Sequence, residues 1–210
     1  VLGLVDDVHR NRFEILRSLT LLRQLSLDPA LIDEGDEGVG SAKLDRLVED
    51  LTEIIAEGHR ALVFSTFTRF LGRAKERLDD AGIAYAYLDG RTRRREDAIA
   101  RFKEGEAPVF LISLKAGGFG LNLTEADYCF VLDPWWNPAA ETQAVDRAHR
   151  IGQERPVIVY RYVATGTIEE KVMELKARKA ALFSSVVDAD DKLAGALDES
   201  DIRALIDLPG

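Results

Sequence analysis

Ala61-Leu62-Val63-Phe64-Ser65-Thr66-Phe67-Thr68-Arg69-Phe70-Leu71-Gly72-Arg73-Ala74-Lys75-Glu76-Arg77-Leu78-Asp79-Asp80-Ala81-Gly82 changes its hydrophobic period partway along. Four apolar residues stand in an unbroken run, a polar Ser65-Thr66 pair follows, and Phe70, Leu71, Ala74 and Leu78 then recur at helical spacing up to Gly82. An unbroken rather than alternating apolar run is expected where both faces of a strand are covered, as in a parallel sheet. The stretch therefore reads as strand, polar turn, helix.

The same unit recurs downstream. Tyr85 to Leu88 leads into Asp89-Gly90-Arg91-Thr92 and a helix through Ala98, Ile99 and Phe102 to Gly105; Val109 to Ile112 leads into Ser113 to Gly118; Tyr128 to Leu132 leads into Asp133-Pro134-Trp135-Trp136-Asn137-Pro138; Val157 to Val163 supplies a fifth strand. Strands alternating with helices predict an α/β fold, a parallel sheet with helices on both faces. Upstream, residues 10–27 carry apolar side chains at 15, 16, 19, 22 and 25, an amphipathic helix that Asp28-Pro29 ends. Ser41 then offers an N-cap to a helix whose stripe of Leu44, Leu47, Val48, Leu51, Ile54 and Ile55 stops at Gly58. Downstream, Thr167 can cap a charged helix from Ile168 to Val187, and Ser200 to Ile206 forms a last short helix. Three segments are expected: residues 1–40, a helical extension and linker; 41–187, the α/β domain with its closing helix; and 188–210, a tail.

Among 210 residues, 46% are apolar and the formal net charge is −9, so a sizeable core is affordable but no global basic field advertises a polyanionic partner. Any such partner has to be gripped by a local patch. The single cysteine, Cys129, lies inside an apolar run and reads as a buried strand position, and the three histidines have no metal-ligand spacing, so no metal site is expected. No apolar run approaches a membrane span and no signal pattern opens the chain, so no membrane partner is expected. The start on Val1 points to a piece of something longer.

In open parallel sheets ligands gather at the carboxyl ends of the strands. Ser65-Thr66, Asp89 to Thr92, Ser113 to Gly118 and Asp133 to Asn137 should share that rim, where hydroxyls and free helix-start amides can bond an anion or simply cap helices. Further on, Gln143, Arg147 and Arg150 lie at i, i+4 and i+7, which a continuous helix would place on one face, with Asp146 and Arg150 as an i,i+4 pair. Gly118-Phe119-Gly120 begins a dinucleotide fingerprint, but Leu123 stands where its third glycine belongs, which disfavours a nucleotide-cofactor oxidoreductase. No phosphate-loop motif is present either, so these arginines form half of a triphosphate site.

Together these blocks resemble the C-terminal RecA-like lobe of the Swi/Snf-type DNA-dependent ATPases of helicase superfamily two. The carriers are Val63-Phe64-Ser65-Thr66-Phe67, Leu88-Asp89-Gly90-Arg91-Thr92, Ser113-Leu114-Lys115-Ala116-Gly117-Gly118-Phe119-Gly120-Leu121-Asn122-Leu123, Asp133-Pro134-Trp135-Trp136-Asn137-Pro138, and Gln143 through Arg147, Arg150, Ile151, Gly152 and Gln153. The resemblance implies a two-lobed motor that closes on ATP and Mg2+ held mainly by an N-terminal RecA-like lobe of the same protein, with Arg147 and Arg150 as arginine fingers and Gly120, Asn122 and Gln143 in the nucleotide cleft. It further implies double-stranded DNA as partner, with Ser65, Gly90, Thr92, Ser113, Lys115, Gly117 and Gly118 at the DNA backbone and Trp135 at a groove or coupling position. Residues 1–40 resemble the end of a helical protrusion, and the helix from Thr167 a brace. Such a motor acts on chromatin or other DNA-bound proteins, in the nucleus of a eukaryote or at the nucleoid in the cytoplasm of a bacterium. The 210 residues alone are expected to be inactive. The alternative is a non-catalytic RecA-like DNA- or protein-binding module; a phosphate-loop motif and an acidic metal-binding motif upstream of Val1 would settle for the enzyme, and their absence would favour the module.

Overall fold

A computed structural model describes residues 11–114, 121–135, 138–146, 148, 155–178 and 199–206. In chain order the elements are α1 (Arg12–Leu27), α2 (Ala42–Ala56), β1 (Ala61–Ser65), α3 (Thr68–Asp80), β2 (Tyr85–Leu88), α4 (Arg95–Lys103), β3 (Val109–Ser113), β4 (Tyr128–Val131), α5 (Pro138–Val145), β5 (Ile158–Arg161), α6 (Ile168–Arg178) and α7 (Glu199–Ile206), with short 3-10 turns at Pro29–Leu31 and Glu34–Val39. The chain divides into two compact units, one of residues 1–40, 134–140 and 163–210, the other of 41–133 and 141–162.

The second unit holds a five-stranded sheet in the order β2-β3-β1-β4-β5, every pair parallel. Central strands β1 and β3 are buried at every residue, as their unbroken apolar runs require. The chain steps outward from β1 to β2 and back to β3, and right-handed crossovers in opposite directions put α3 and α4 on opposite faces. On α2, Ser41 accepts from the Leu44 amide as the expected cap, and Leu44, Leu47, Leu51 and Ile54 are buried. Cys129 is fully buried in β4, and that burial pushes its thiol up to about 12, away from nucleophilic use. β5 is shorter than the apolar run 157–163 suggests and stands at the sheet edge with Ile158 and Tyr160 exposed.

In the first unit Ile15 and Leu19 of α1, Ile168, Val172 and Leu175 of α6, and Ile202 and Leu205 of α7 form one apolar cluster. The face of α1 that is covered differs from the expected one at its C-terminal end: Leu25 is 49% exposed whereas Arg23 is 6% exposed. Arg23 is drawn inward because its guanidinium donates to the Pro134 carbonyl at 2.9 Å. At the start of α6 the Thr167 hydroxyl accepts from the Glu169 amide, as a capping threonine should. α6 is described to Arg178; the expected continuation to Val187 lies outside the described residues.

Candidate functional site

The carboxyl ends of β1, β3, β2 and β4 bring Ser65, Ser113, Asp89 to Thr92 and Asp133 to one rim, as parallel topology demands. What their side chains do there differs from end to end. Asp133 is fully buried and accepts from the Ser65 hydroxyl at 2.5 Å, from the Thr66 amide at 3.1 Å and from the Thr66 hydroxyl. Ser65 in turn accepts from the Phe67 amide at 3.1 Å. The Ser65 hydroxyl, expected at a DNA phosphate, is thus enclosed and spent on a carboxylate. The helix that this turn leads into, α3, has no side-chain cap.

The turn after β2 is built the same way. Asp89 accepts from the Tyr87 hydroxyl at 3.0 Å, the Arg91 amide at 2.9 Å and the Thr92 hydroxyl at 2.9 Å, while the Thr92 oxygen accepts from the Asp89 amide at 2.9 Å. Burial raises the Asp89 carboxyl, but bonds from Thr92, the Arg91 amide and Tyr87 outweigh it and leave it below its ordinary value. Thr92 uses its hydroxyl within the turn, whereas Ser65 uses its own on Asp133 after another strand. Gly90 is exposed, with open space where a side chain would stand. Ser113 is 1% exposed at the end of β3. Lys115, Gly117, Gly118 and Gly120 lie outside the described residues, and Asn122, just past them, is exposed.

On the β4–β5 side, a residue that sequence reading passes over closes the rim. Lys43, 7% exposed, donates to the Leu132 carbonyl at 2.6 Å and the Tyr162 carbonyl at 3.0 Å, joining the ends of two adjacent strands. Its only signal in sequence is a cation in the first turn of a helix, where the dipole disfavours one. Beside it Tyr162 donates to Asp50 at 2.5 Å, and burial raises the phenol well above its usual range.

Gln143 is exposed on α5, between the buried Glu141, which pairs with Arg161, and the buried Ala144. The continuous helical face expected from Gln143 through Arg150 is corrected here: α5 ends at Val145, and Asp146 and Ala148 lie in turns. Ala148, fully buried, bonds the Val145 carbonyl three residues back at 3.0 Å, the tight closure that ends an α-helix. Arg147 and Arg150 themselves lie outside the described residues. Trp135 is half-buried and packs on the apolar cluster of α1, α6 and α7. Of the sequence-predicted residues that are described, the strand-end turns come together at one rim, whereas Trp135 packs within the other unit.

The amino end of the sheet is organised around another carboxylate. Asp127 accepts from Arg155 at 3.1 Å and the Arg60 amide at 3.3 Å, and lies 2.7 Å from His59 Nδ1. Burial raises its carboxyl, and the His59, Arg155 and Arg60 bonds together lower it below its ordinary value. A carboxyl lowered on folding contributes stability that is complete above about pH 4 and is lost as pH falls through the lower folded value. Asp127→Asn is therefore expected to cost about 2 kcal/mol at neutral pH and to flatten the acid limb of a Tm-against-pH profile. An acid limb as steep as wild type would overturn that assignment.

The helicase conserved C-terminal domain model matches residues 42–152. The Arabidopsis thaliana protein CHROMATIN REMODELING 24 is 38% identical over 172 residues, which are 80% of this chain and 16% of that protein. Among solved structures, the Sulfolobus solfataricus SWI2/SNF2 ATPase core in complex with dsDNA superposes with a TM-score of 0.77 at 30% identity, covering 99% of this chain and 46% of that one. The separate C-terminal domain of the Sulfolobus ATPase gives 0.74 at 28% identity, over 99% and 90%. With its five-stranded parallel sheet, its helicase C-terminal match and its likeness to that domain over nearly its whole length, this chain belongs to the Swi2/Snf2 family of ATPases as a C-terminal RecA-like lobe.

Proposed function

We propose that this chain is the C-terminal motor lobe of an ATP-dependent double-stranded DNA translocase or remodeller. The observation that carries the reading is its likeness, over 99% of its length, to an ATPase core solved on dsDNA. The lobe contributes Arg147 and Arg150 to ATP bound on an N-terminal lobe, with Gly120, Asn122 and Gln143 lining the nucleotide side. Guanidinium forks match the charge that spreads over the γ-phosphoryl oxygens during transfer. Mg2+ is assigned, with the ATP, mainly to the N-terminal lobe, where it would bridge the phosphate oxygens.

At the rim, Gly90, Lys115, Gly117 and Gly118 approach the DNA backbone, with the uncapped starts of α3 and α4 supplying further donors. Ser65 and Thr92 act there by holding their turns in shape, since their hydroxyls bond Asp133 and Asp89. Contacts of this kind follow a strand without reading its sequence. Trp135, which packs on the helical cluster, is assigned the groove or coupling position.

The complete protein should hydrolyse ATP faster on adding duplex DNA of any sequence, measured as steady-state phosphate release. A rate indifferent to DNA would sink the translocase reading and leave a binding module.

A further inference from the structure

A lysine in the first turn of a helix works against the helix dipole, and an unbranched apolar side chain would fill the same space without that cost. Lys43 nevertheless stands in the first turn of α2, buried, with its ammonium donating to the Leu132 carbonyl at 2.6 Å and the Tyr162 carbonyl at 3.0 Å. Both carbonyls lie where β4 and β5 cease to pair: their register ends at Val131 and Arg161, and the Tyr162 amide bonds the Val131 carbonyl at 2.9 Å. Neighbouring strands are about 5 Å apart, within reach of one ammonium, so Lys43 ties the two strand exits together where the ladder gives out. Each exit adjoins an ionised group with a task of its own. Asp133, next after Leu132, accepts from the Ser65 hydroxyl at 2.5 Å and the Thr66 amide at 3.1 Å, and so fixes the turn that leads into α3. Arg161, just before Tyr162, pairs with the buried Glu141 in the first turn of α5, the helix that carries Gln143. Ser65, Thr66 and Asp133 on one side and Arg161 and Glu141 on the other all belong, with Lys43, to the sheet-bearing unit.

We infer that Lys43 is a positioning residue that couples the two sides of this lobe, holding the Ser65-Thr66 turn and α5 in fixed relation so that duplex DNA at the rim and nucleotide beside Gln143 strengthen each other's binding; the inference rests on the DNA-translocase reading above. Lys43 itself touches neither ligand. Close-packed interiors pass a displacement on rather than absorb it, and a buried polar bridge between two strand exits transmits it between the groups those exits carry. When the bridge is removed, each half keeps its own bonds, Ser65 and Thr66 on Asp133 and Arg161 on Glu141. Both sites therefore persist, and what is lost is the dependence of one on the other.

The test uses the complete protein and two reciprocal titrations: a non-hydrolysable ATP analogue with and without saturating duplex DNA, and the duplex with and without saturating analogue. Linkage makes the two affinity ratios equal, and in wild type they should fall in the range of about 5–150-fold that couplings between sites span. In Lys43→Met both ratios should drop to about one, while each ligand alone binds as it does to wild type. Glu141→Met combined with Arg161→Met breaks the same series of bonds at its far end by exchanging a buried carboxylate and its partner for apolar groups, which folds commonly tolerate; it should lose the coupling equally. Asp127→Asn, at the amino end of the sheet, lowers stability outside that series and should keep the wild-type ratios. Melting curves establish that each variant is folded. Wild-type ratios in a folded Lys43→Met or Glu141→Met/Arg161→Met protein, an equal loss in Asp127→Asn, or ratios of one in wild type overturn the inference. Failure of the wild-type protein to bind duplex DNA, or to hydrolyse ATP faster on it, is a different result, which defeats the broader reading.

Discussion

Arg147→Ala or Arg150→Ala in the complete protein is expected to remove DNA-stimulated ATP hydrolysis, by roughly 10³–10⁵ in turnover, while duplex DNA binding persists. That is the range an arginine finger contributes in nucleotide hydrolases, because it meets charge that develops only as the γ-phosphoryl group leaves. An interaction made mainly in the transition state lowers turnover and turnover per KM together, and a change confined to KM would point to ground-state binding instead. The measurement is steady-state phosphate release at saturating DNA, with DNA affinity determined in parallel. Turnover within about tenfold of wild type in both variants would refute the role. The distinction from a folded but non-catalytic module rests on this experiment, since such a module would bind DNA and show no turnover to lose.

The second large effect is structural. Asp133→Ala should lower stability by about 3 kcal/mol, because a fully buried carboxylate is removed from the Ser65 hydroxyl and the Thr66 amide and hydroxyl, and donors left without an acceptor cost about 1–3 kcal/mol. For the 210-residue chain that corresponds to a fall in Tm of roughly 6–12 °C. Asp133→Asn keeps one acceptor oxygen and should lose less. Thr66→Val removes a single donor from a half-buried site and should cost least. Equal Tm for wild type and Asp133→Ala, read by differential scanning fluorimetry, would contradict the network.

The five strands and their parallel order of units were legible because buried parallel strands need unbroken apolar runs, and those at 61–64, 109–112 and 128–132 have little alternative use. The rim was legible for the same reason: parallel strands put all their carboxyl ends on one side.

Other features depended on partners far away in sequence. Ser65 and Thr92 look alike as strand-end hydroxyls able to meet a phosphate, yet each is engaged by an aspartate, one 68 positions away and one three positions away. Arg23 is buried and Leu25 exposed because a carbonyl 111 residues distant accepts from the arginine. Lys43 sits inside for two carbonyls, 89 and 119 positions away. A helix period had suggested one face for Gln143 to Arg150, but α5 stops at Val145, with Ala148 buried.

Sequence by itself determined the class of fold, the rim that the strand ends share and the family resemblance, since these rest on hydrophobic period and on motifs contiguous along the chain. Tertiary structure alone decided which polar side chains remain available at that rim. At Ser65 a hydrogen bond between groups far apart in the chain settles that choice, at Thr92 the turn itself does, and a buried donor or acceptor takes whichever partner the fold brings within about 3 Å.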